Sequence, residues 1–222
     1  MDQSADDFRA LSRRVQRLED VDAIRRLHFS YGYYTDYNMA EDIARLFSKD
    51  GEVIFLSGVY RGHESIMRLY GVWFREYFIE GKVGPVFGFL LDHYHMQDII
   101  TVADDGLSAK GRFRALMFAG SHESRSYKPE GMPDQVMEAG IYENDYVKEG
   151  GIWKIQRLDY VLQWQAEYEK GWSRSASVLQ PAKLTYPEDP FGPDALLDRE
   201  RPAWPDRAAV PMHYANPGQP AA

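Results

Sequence analysis

The chain has 222 residues and 25.6 kDa, with 44% hydrophobic residues and a net charge of -8 at pH 7. That size and apolar content suit one domain with an extension, or two small ones, and exclude a disordered chain. The acidic balance argues against nucleic-acid and anionic-membrane partners, which need basic stripes; the lack of cysteine removes disulfides, thiolate zinc sites and a cysteine nucleophile.

Phe8, Leu11, Val15 and Leu18, then Val21, Ile24, Leu27 and Tyr31, keep steps of three and four. A helix is therefore expected from Phe8 to Tyr37. A second helix follows over Met39–Phe47, then a turn at Ser48–Gly51 and a strand over Val53–Val59. Ile66, Leu69, Tyr70, Trp73 and Tyr77 mark a third helix over Glu64–Phe78. Beyond Gly84-Pro85 the period changes to two. Leu91–Val102 and Leu107–Phe118 read as strands joined by the Asp104-Asp105-Gly106 turn. Met137–Val147 and Ile152–Gln165 form a second hairpin around Glu149-Gly150-Gly151. The fold class expected is α+β, with helices packed on the concave face of a curved antiparallel sheet.

From Trp172 onward, prolines such as Pro181, Pro187, Pro190, Pro193, Pro202 and Pro205 disfavour helix and strand. This tail still carries Leu184, Tyr186, Phe191 and Trp204, so it reads as an extended C-terminal arm packed on its own or a neighbouring subunit. Met1–Asp20 lacks an apolar core and no run reaches transmembrane length, which predicts a soluble, cytoplasmic protein. Aromatic residues make up 14%. They suit a large core, an oligomer interface or a pocket for a flat aromatic ligand.

Four local patterns, in order, resemble the SnoaL-like branch of the nuclear-transport-factor-2-like superfamily. They are Leu18-Glu19-Asp20-Val21-Asp22-Ala23-Ile24-Arg25-Arg26-Leu27; Tyr31 and Asp36 followed by Ala44-Arg45-Leu46-Phe47 and Asp50; Tyr60-Arg61-Gly62-His63-Glu64-Ser65-Ile66; and Gly140, Tyr142, Glu143 and Asp145 with Gly151, Trp153, Lys154 and Ile155. The likeness spans roughly residues 15–165. It implies a cone-shaped α+β barrel over residues 1–170, with 171–222 as a Pro- and aromatic-rich extension. Lyases of this superfamily often use a helix aspartate to orient a strand histidine, which here are Asp36 and His93. Scytalone-dehydratase-like members have a second histidine on the next strand, where this chain has Arg112. A branch that makes stilbenes from lignin-derived diarylpropanediols, losing water and formaldehyde, is compatible with the long tail. The superfamily also holds isomerases, cyclases and non-catalytic members, so fold alone leaves function open.

Read as residues, Asp36 among Tyr33, Tyr34 and Tyr37 is either a solvated helix-end carboxylate or an internal, paired one. His93, His95 and Gln97 share a strand face by the two-residue period. Arg112 and Arg114 share a face of the next strand; it is either a solvated or intersubunit face, or an oxyanion site. Tyr34, Tyr60 and Tyr142 are candidate phenolic donors or satisfied core aromatics, and Trp73 is a candidate wall. His28 reads as helix surface, His63 and His122 as exposed turn residues, and His213 as tail. Asp36 with His93 and His95 could chelate a metal, but no metal or cofactor is expected. No nucleotide, zinc-protease or esterase motif occurs.

The resulting expectation is a cofactor-independent lyase acting on a hydrophobic aromatic small molecule. Asp36, His93, Tyr34 and Arg112 would be catalytic. His95, Tyr60, Gln97, Arg114, Trp73 and Tyr142 would bind substrate. A homo-oligomer, dimer or trimer, is expected. The alternatives are a binding or assembly module, and an isomerase or cyclase using the same pocket.

Overall fold

In the computed structural model, which describes residues 3–219, the helical spacing becomes α1 (Gln3–Asp36). Asn38, at φ 53, turns the chain in the left-handed conformation that Asn tolerates. There follow α2 (Ala40–Leu46), β1 (Phe47–Phe55), β2 (Gly58–Arg61), α3 (Gly62–Met67), a widened π segment (Arg68–Phe74) and α4 (Arg75–Ile79). Four long strands come next: β3 (Phe89–Val102), β4 (Ser108–Ser121), β5 (Gln135–Glu149) and β6 (Ile152–Glu167). A short β7 (Ala195–Leu196) lies within the tail.

These strands form one sheet in the order β3-β4-β5-β6-β1-β2-β7. The expectation of an α+β fold holds, with two refinements. The sheet is mixed, because β1 runs parallel to β6, and it is open, ending at β3 and β7. β1 enters from a helix and not from a tight hairpin, so no turn forces it antiparallel to β6. The strand expected over Val53–Val59 is a hairpin instead. Its chain reverses at Leu56 and Ser57, with φ 47 and 64. Two consecutive positive φ values suit a tight hairpin turn, but this pair lacks the Asn or Gly that usually signals one. The turn expected at Ser48–Gly51 lies inside β1, where the register against β6 shifts between Phe47 and Glu52.

Helices cover the concave face. Ile24, Tyr31, Ile43, Ile66, Leu69 and Tyr70 pack against Phe113, Tyr142, Tyr146, Ile155 and Leu158 from the sheet. Asp20 anchors α1 by accepting hydrogen bonds from Lys148 Nζ at 2.6 Å and Trp153 Nε1 at 2.9 Å. The α1 residues before it, Phe8, Leu11, Val15 and Leu18, are exposed. Among the described residues, no helix is long and apolar enough to cross a membrane.

The proline-rich tail is held to the sheet by backbone and charge. β7 pairs antiparallel with β2 at Gly58–Leu196 and Val59–Ala195, capping that edge. Asp194 accepts from the Arg61 backbone N–H at 2.7 Å, Ser65 Oγ at 2.8 Å and Arg68 Nη2 at 2.6 Å. Burial pushes this carboxyl up, but the donors outweigh it and hold it below its ordinary value. Arg201 makes a two-pronged ion pair with Asp159 of β6. Replacing Asp194 by alanine strands these donors and should cost about 1–3 kcal/mol. The expected readouts are a lower urea midpoint and faster tryptic cleavage between β6 and Arg201. Unchanged cleavage would show that this carboxylate does not hold the tail.

Candidate active site

Asp36 ends α1 and His93 lies on β3, yet the two side chains meet. The Asp36 carboxylate accepts the His93 backbone N–H at 3.1 and 3.3 Å, and Oδ1 lies 2.6 Å from His93 Nδ1. Both side chains are largely buried, at 12% and 15% exposure. With Nδ1–H given to the carboxylate, the tautomer is set and Nε2 is left as the basic nitrogen. The ring lines a cavity of about 60 Å³. Its walls are mostly apolar: Phe55, Phe74, Phe78, Leu91, Met117 and Leu158. The widened segment Arg68–Phe74 brings Tyr70 and Phe74 to this wall.

One carboxyl lines the cavity directly. Glu138 of β5 is 4% exposed. Its Oε1 accepts from Tyr160 Oη at 2.6 Å, and its Oε2 from Gln165 Nε2 at 2.7 Å. Burial raises its pKa; Tyr160, the charge on His93 and Gln165 pull in the other direction without cancelling the rise. Tyr160 reaches Glu138 by lying across Gly140, where a Cβ would come within 2.2 Å of the ring. Tyr31, Tyr70, Tyr142 and Tyr160 complete the polar rim, and burial pushes all four phenols up, so they stay protonated. Tyr31 and Tyr70 share a hydrogen bond at 2.9 Å.

Behind His93 sits a nest of neutral imidazoles. His95 packs 4.6 Å from the His28 ring and 5.1 Å from Tyr142. It fits because residue 32 is glycine, where a Cβ would press within 3.1 Å of the ring. Burial, then the charge on His93, pulls His95 down to about 3, against a smaller opposing pull from the His28 backbone. Among the described residues, neither of its ring nitrogens has a well-formed hydrogen-bond partner. His28 is not helix surface: it is fully buried and stacked 3.7 Å from Phe113. Desolvation, then the neighbouring His95, holds it well below the ordinary histidine value.

Several residues expected at the site lie elsewhere. Gln97 does not share the face of His93 and His95. A bulge between Met96 and Ile99 puts it at φ 54 and in solvent, and lets Asp98 pair with Arg25 on α1. Arg112 and Arg114 are on the sheet face opposite the buried Phe113, Ala115 and Met117. Arg112 binds Glu143 and the tail carbonyls of Val210 and Pro211, with His213 also on Glu143. Arg114 is exposed. Tyr60 is buried under the tail, donating to the Phe191 carbonyl at 3.4 Å. Tyr34 and Trp73 pack against the core without lining the cavity. Of the expected set, the cavity takes His93 and Tyr142 directly, while Asp36 and His95 stand behind the wall. Among the described residues, no three His, Asp or Glu groups are arranged to hold a metal ion.

The SnoaL-like domain family matches residues 16–159, well over half of the chain. The chain belongs to the SnoaL-like family. No curated protein matches it. Among solved structures, a proposed scytalone dehydratase from Novosphingobium aromaticivorans shares the fold with TM-score 0.54 and 21% identity, covering 75% of this chain and 95% of that one. A type-2 hexachlorocyclohexane dehydrochlorinase (LinA) gives TM-score 0.56 and 16% identity, covering 76% and 97%. The type-3 LinA from Novosphingobium barchaimii gives 0.55 and 17%, covering 68% and 92%. At these identities the likeness is one of fold.

Glu138, Tyr160, Tyr31 and Tyr70 line the site of this SnoaL-like chain without having been singled out for it from the sequence, and Glu138 with Tyr160 matters most. A usable signal existed: Val136, Glu138, Gly140 and Tyr142 lie in one phase of β5, which puts an acid on an otherwise inward row. Gly140→Ala should displace Tyr160 and cost at least about 1–3 kcal/mol. A denaturation midpoint equal to wild type would refute the close approach. The two neutral histidines also give stability a pH dependence. Their folded pKa values lie below the unfolded value of 6.5. The unfolded chain therefore binds more protons, and stability is complete above 6.5 and lost as pH falls toward about 3. Melting temperature should drop over that range, with a shallower slope in His95→Phe; an unaltered slope would count against a neutral, buried His95.

Proposed function

We propose that this chain is a cofactor-free lyase that eliminates water from a hydroxylated, largely apolar aromatic molecule. The observation that carries the reading is the 2.6 Å contact of His93 Nδ1 with Asp36, placed so that the ring borders an apolar, aromatic-walled cavity. A histidine held this way is a general base at neutral pH, and Asp36 stabilises the imidazolium that forms. The names of two structural neighbours, a dehydratase and a dehydrochlorinase, describe eliminations and agree with this reading.

His93 Nε2 removes a proton from carbon, or from a hydroxyl whose C–C bond then breaks. The released electron pair forms the new double bond as the leaving hydroxyl departs. That hydroxyl needs a proton, and Glu138 with Tyr160 forms a relay for it. When Glu138 is protonated, its O–H donates to the Tyr160 oxygen, which frees the Tyr160 O–H to donate to the leaving group. A carboxyl raised by burial suits this task. Base and acid each contribute roughly a hundredfold to ten-thousandfold in rate. With a diarylpropanediol, the same two groups would release water and formaldehyde and leave a stilbene. His93 would then take the proton of the terminal hydroxymethyl group as its C–C bond breaks.

The test is mass-resolved product analysis of metal-stripped protein on a panel of hydroxylated aromatics that includes a diarylpropanediol. Loss of water, with or without formaldehyde, is the expected result. His93→Ala, Asp36→Asn and Glu138→Gln should each lower turnover by about a hundredfold or more while the fold persists. A product of unchanged mass would replace elimination with isomerisation, and full activity in His93→Ala would end the proposed base.

A further inference from the structure

The cavity beside His93 is too small for the substrate it is proposed to serve. A dry cavity of about 150 Å³ accepts benzene, whereas this one has about 60 Å³. A second chamber of about 340 Å³ lies against it, lined by Ser57, Ser177, Gln180, Arg201 and Trp204. Among the described residues, only Tyr160 and Leu179 line both spaces. The inner chamber is apolar apart from its catalytic rim. The outer one is rich in hydroxyl, amide and charged groups and carries one indole.

We infer that the two chambers are a single bipartite substrate site: Leu179 is the movable partition, and the outer chamber binds a second, hydroxylated aromatic arm beside Trp204. This rests on the elimination reading for the inner chamber. The partition is built to move locally. The backbone N–H groups of Val178 and Leu179 are fixed by Gln165 Oε1, at 2.6 and 3.0 Å. The backbone of this segment is thus held in place while the half-buried Leu179 side chain changes rotamer. Rotation joins the chambers into a volume typical of small-molecule pockets, about 300–1,000 Å³. Tyr160 then stands at the junction, so the leaving hydroxyl of a two-ring compound falls between its two arms. Arg201 already has a two-pronged carboxylate partner in Asp159, and Glu200 lines the same chamber, so the outer arm is recognised by hydrogen bonding and stacking and an anionic group is not required.

Binding tests this without turnover, using dihydroxybiphenyl and phenol as probes in calorimetry on the full chain. Leu179→Ala should tighten dihydroxybiphenyl about tenfold, one ring's worth of relieved obstruction. Ala176→Trp, an exposed substitution that fills the outer chamber, should weaken dihydroxybiphenyl about tenfold and leave phenol, which the inner chamber takes once Leu179 has rotated, unchanged. Equal responses of both probes to Ala176→Trp, or no saturable dihydroxybiphenyl binding to wild type and Leu179→Ala, would overturn the bipartite site. Because these readouts need no chemistry, they stay separate from the elimination reading, which fails only if turnover or product mass fails.

Discussion

Asp36 ties the end of the first helix to the edge strand that carries the proposed base, and the site is built around that contact. It is the last residue of α1, and β3 is the terminal strand of an open sheet, bonded to one neighbour only. Through one carboxylate it takes both the backbone N–H and the ring Nδ1 of His93. The backbone bond fixes where the edge strand lies against the helix, and the ring bond fixes the tautomer. Structure and chemistry thus share a single anchor. A partly buried carboxylate is costly without partners, and here the partner that relieves the cost is the proposed base.

The rest of the cone follows a similar economy, in which glycine opens space that an aromatic or imidazole ring then fills. Gly32 admits His95 and Gly140 admits Tyr160. Both close approaches bring a ring with a polar atom into a core built largely of Tyr, Ile and Ala. They sort the ionisable groups by environment: His95 and His28 are kept neutral by burial, while His93 keeps a carboxylate partner. Two histidines on one strand face therefore have different jobs. The difference comes from what stands behind each ring.

How much of this was legible in the sequence depended on period. Steps of three and four from Phe8 to Tyr31 marked α1, and the change to period two after Gly84-Pro85 marked the long strands. The pairing of Asp36 with His93 was readable because a resemblance named both positions, not because spacing brought them together. Where the backbone leaves its period, the reading failed. The bulge at Gln97 inverts the alternation, and no Gly or Asn announces it. The Leu56-Ser57 reversal likewise has no Gly or Asn at either turn position, and the glycine that could mark it comes one residue later, at Gly58. His28 was misplaced because a polar residue on an amphipathic helix defaults to the solvent side. Its phase with Ile24 and Tyr31 points inward instead, and Phe113 and Asn144, far along the chain, receive it there.

The arginines teach a different lesson, since their face was ambiguous and the tail resolved it. Arg112 serves the carbonyls of Val210 and Pro211, and Arg201 serves Asp159. The proline-rich segment cannot satisfy its own backbone in a helix or ladder, so these side chains and β7 supply the missing partners. That requirement links the tail to the chemistry at Gln165. Its amide nitrogen donates to Glu138, so its carbonyl must face outward, where Val178 and Leu179 donate to it. Reversing the amide would set its carbonyl against the carboxylate and leave two backbone donors without an acceptor. The orientation is therefore fixed from both ends: the tail segment that closes the cavity and the carboxyl inside it share one side chain, and neither can shift without unsettling the other's hydrogen bonds.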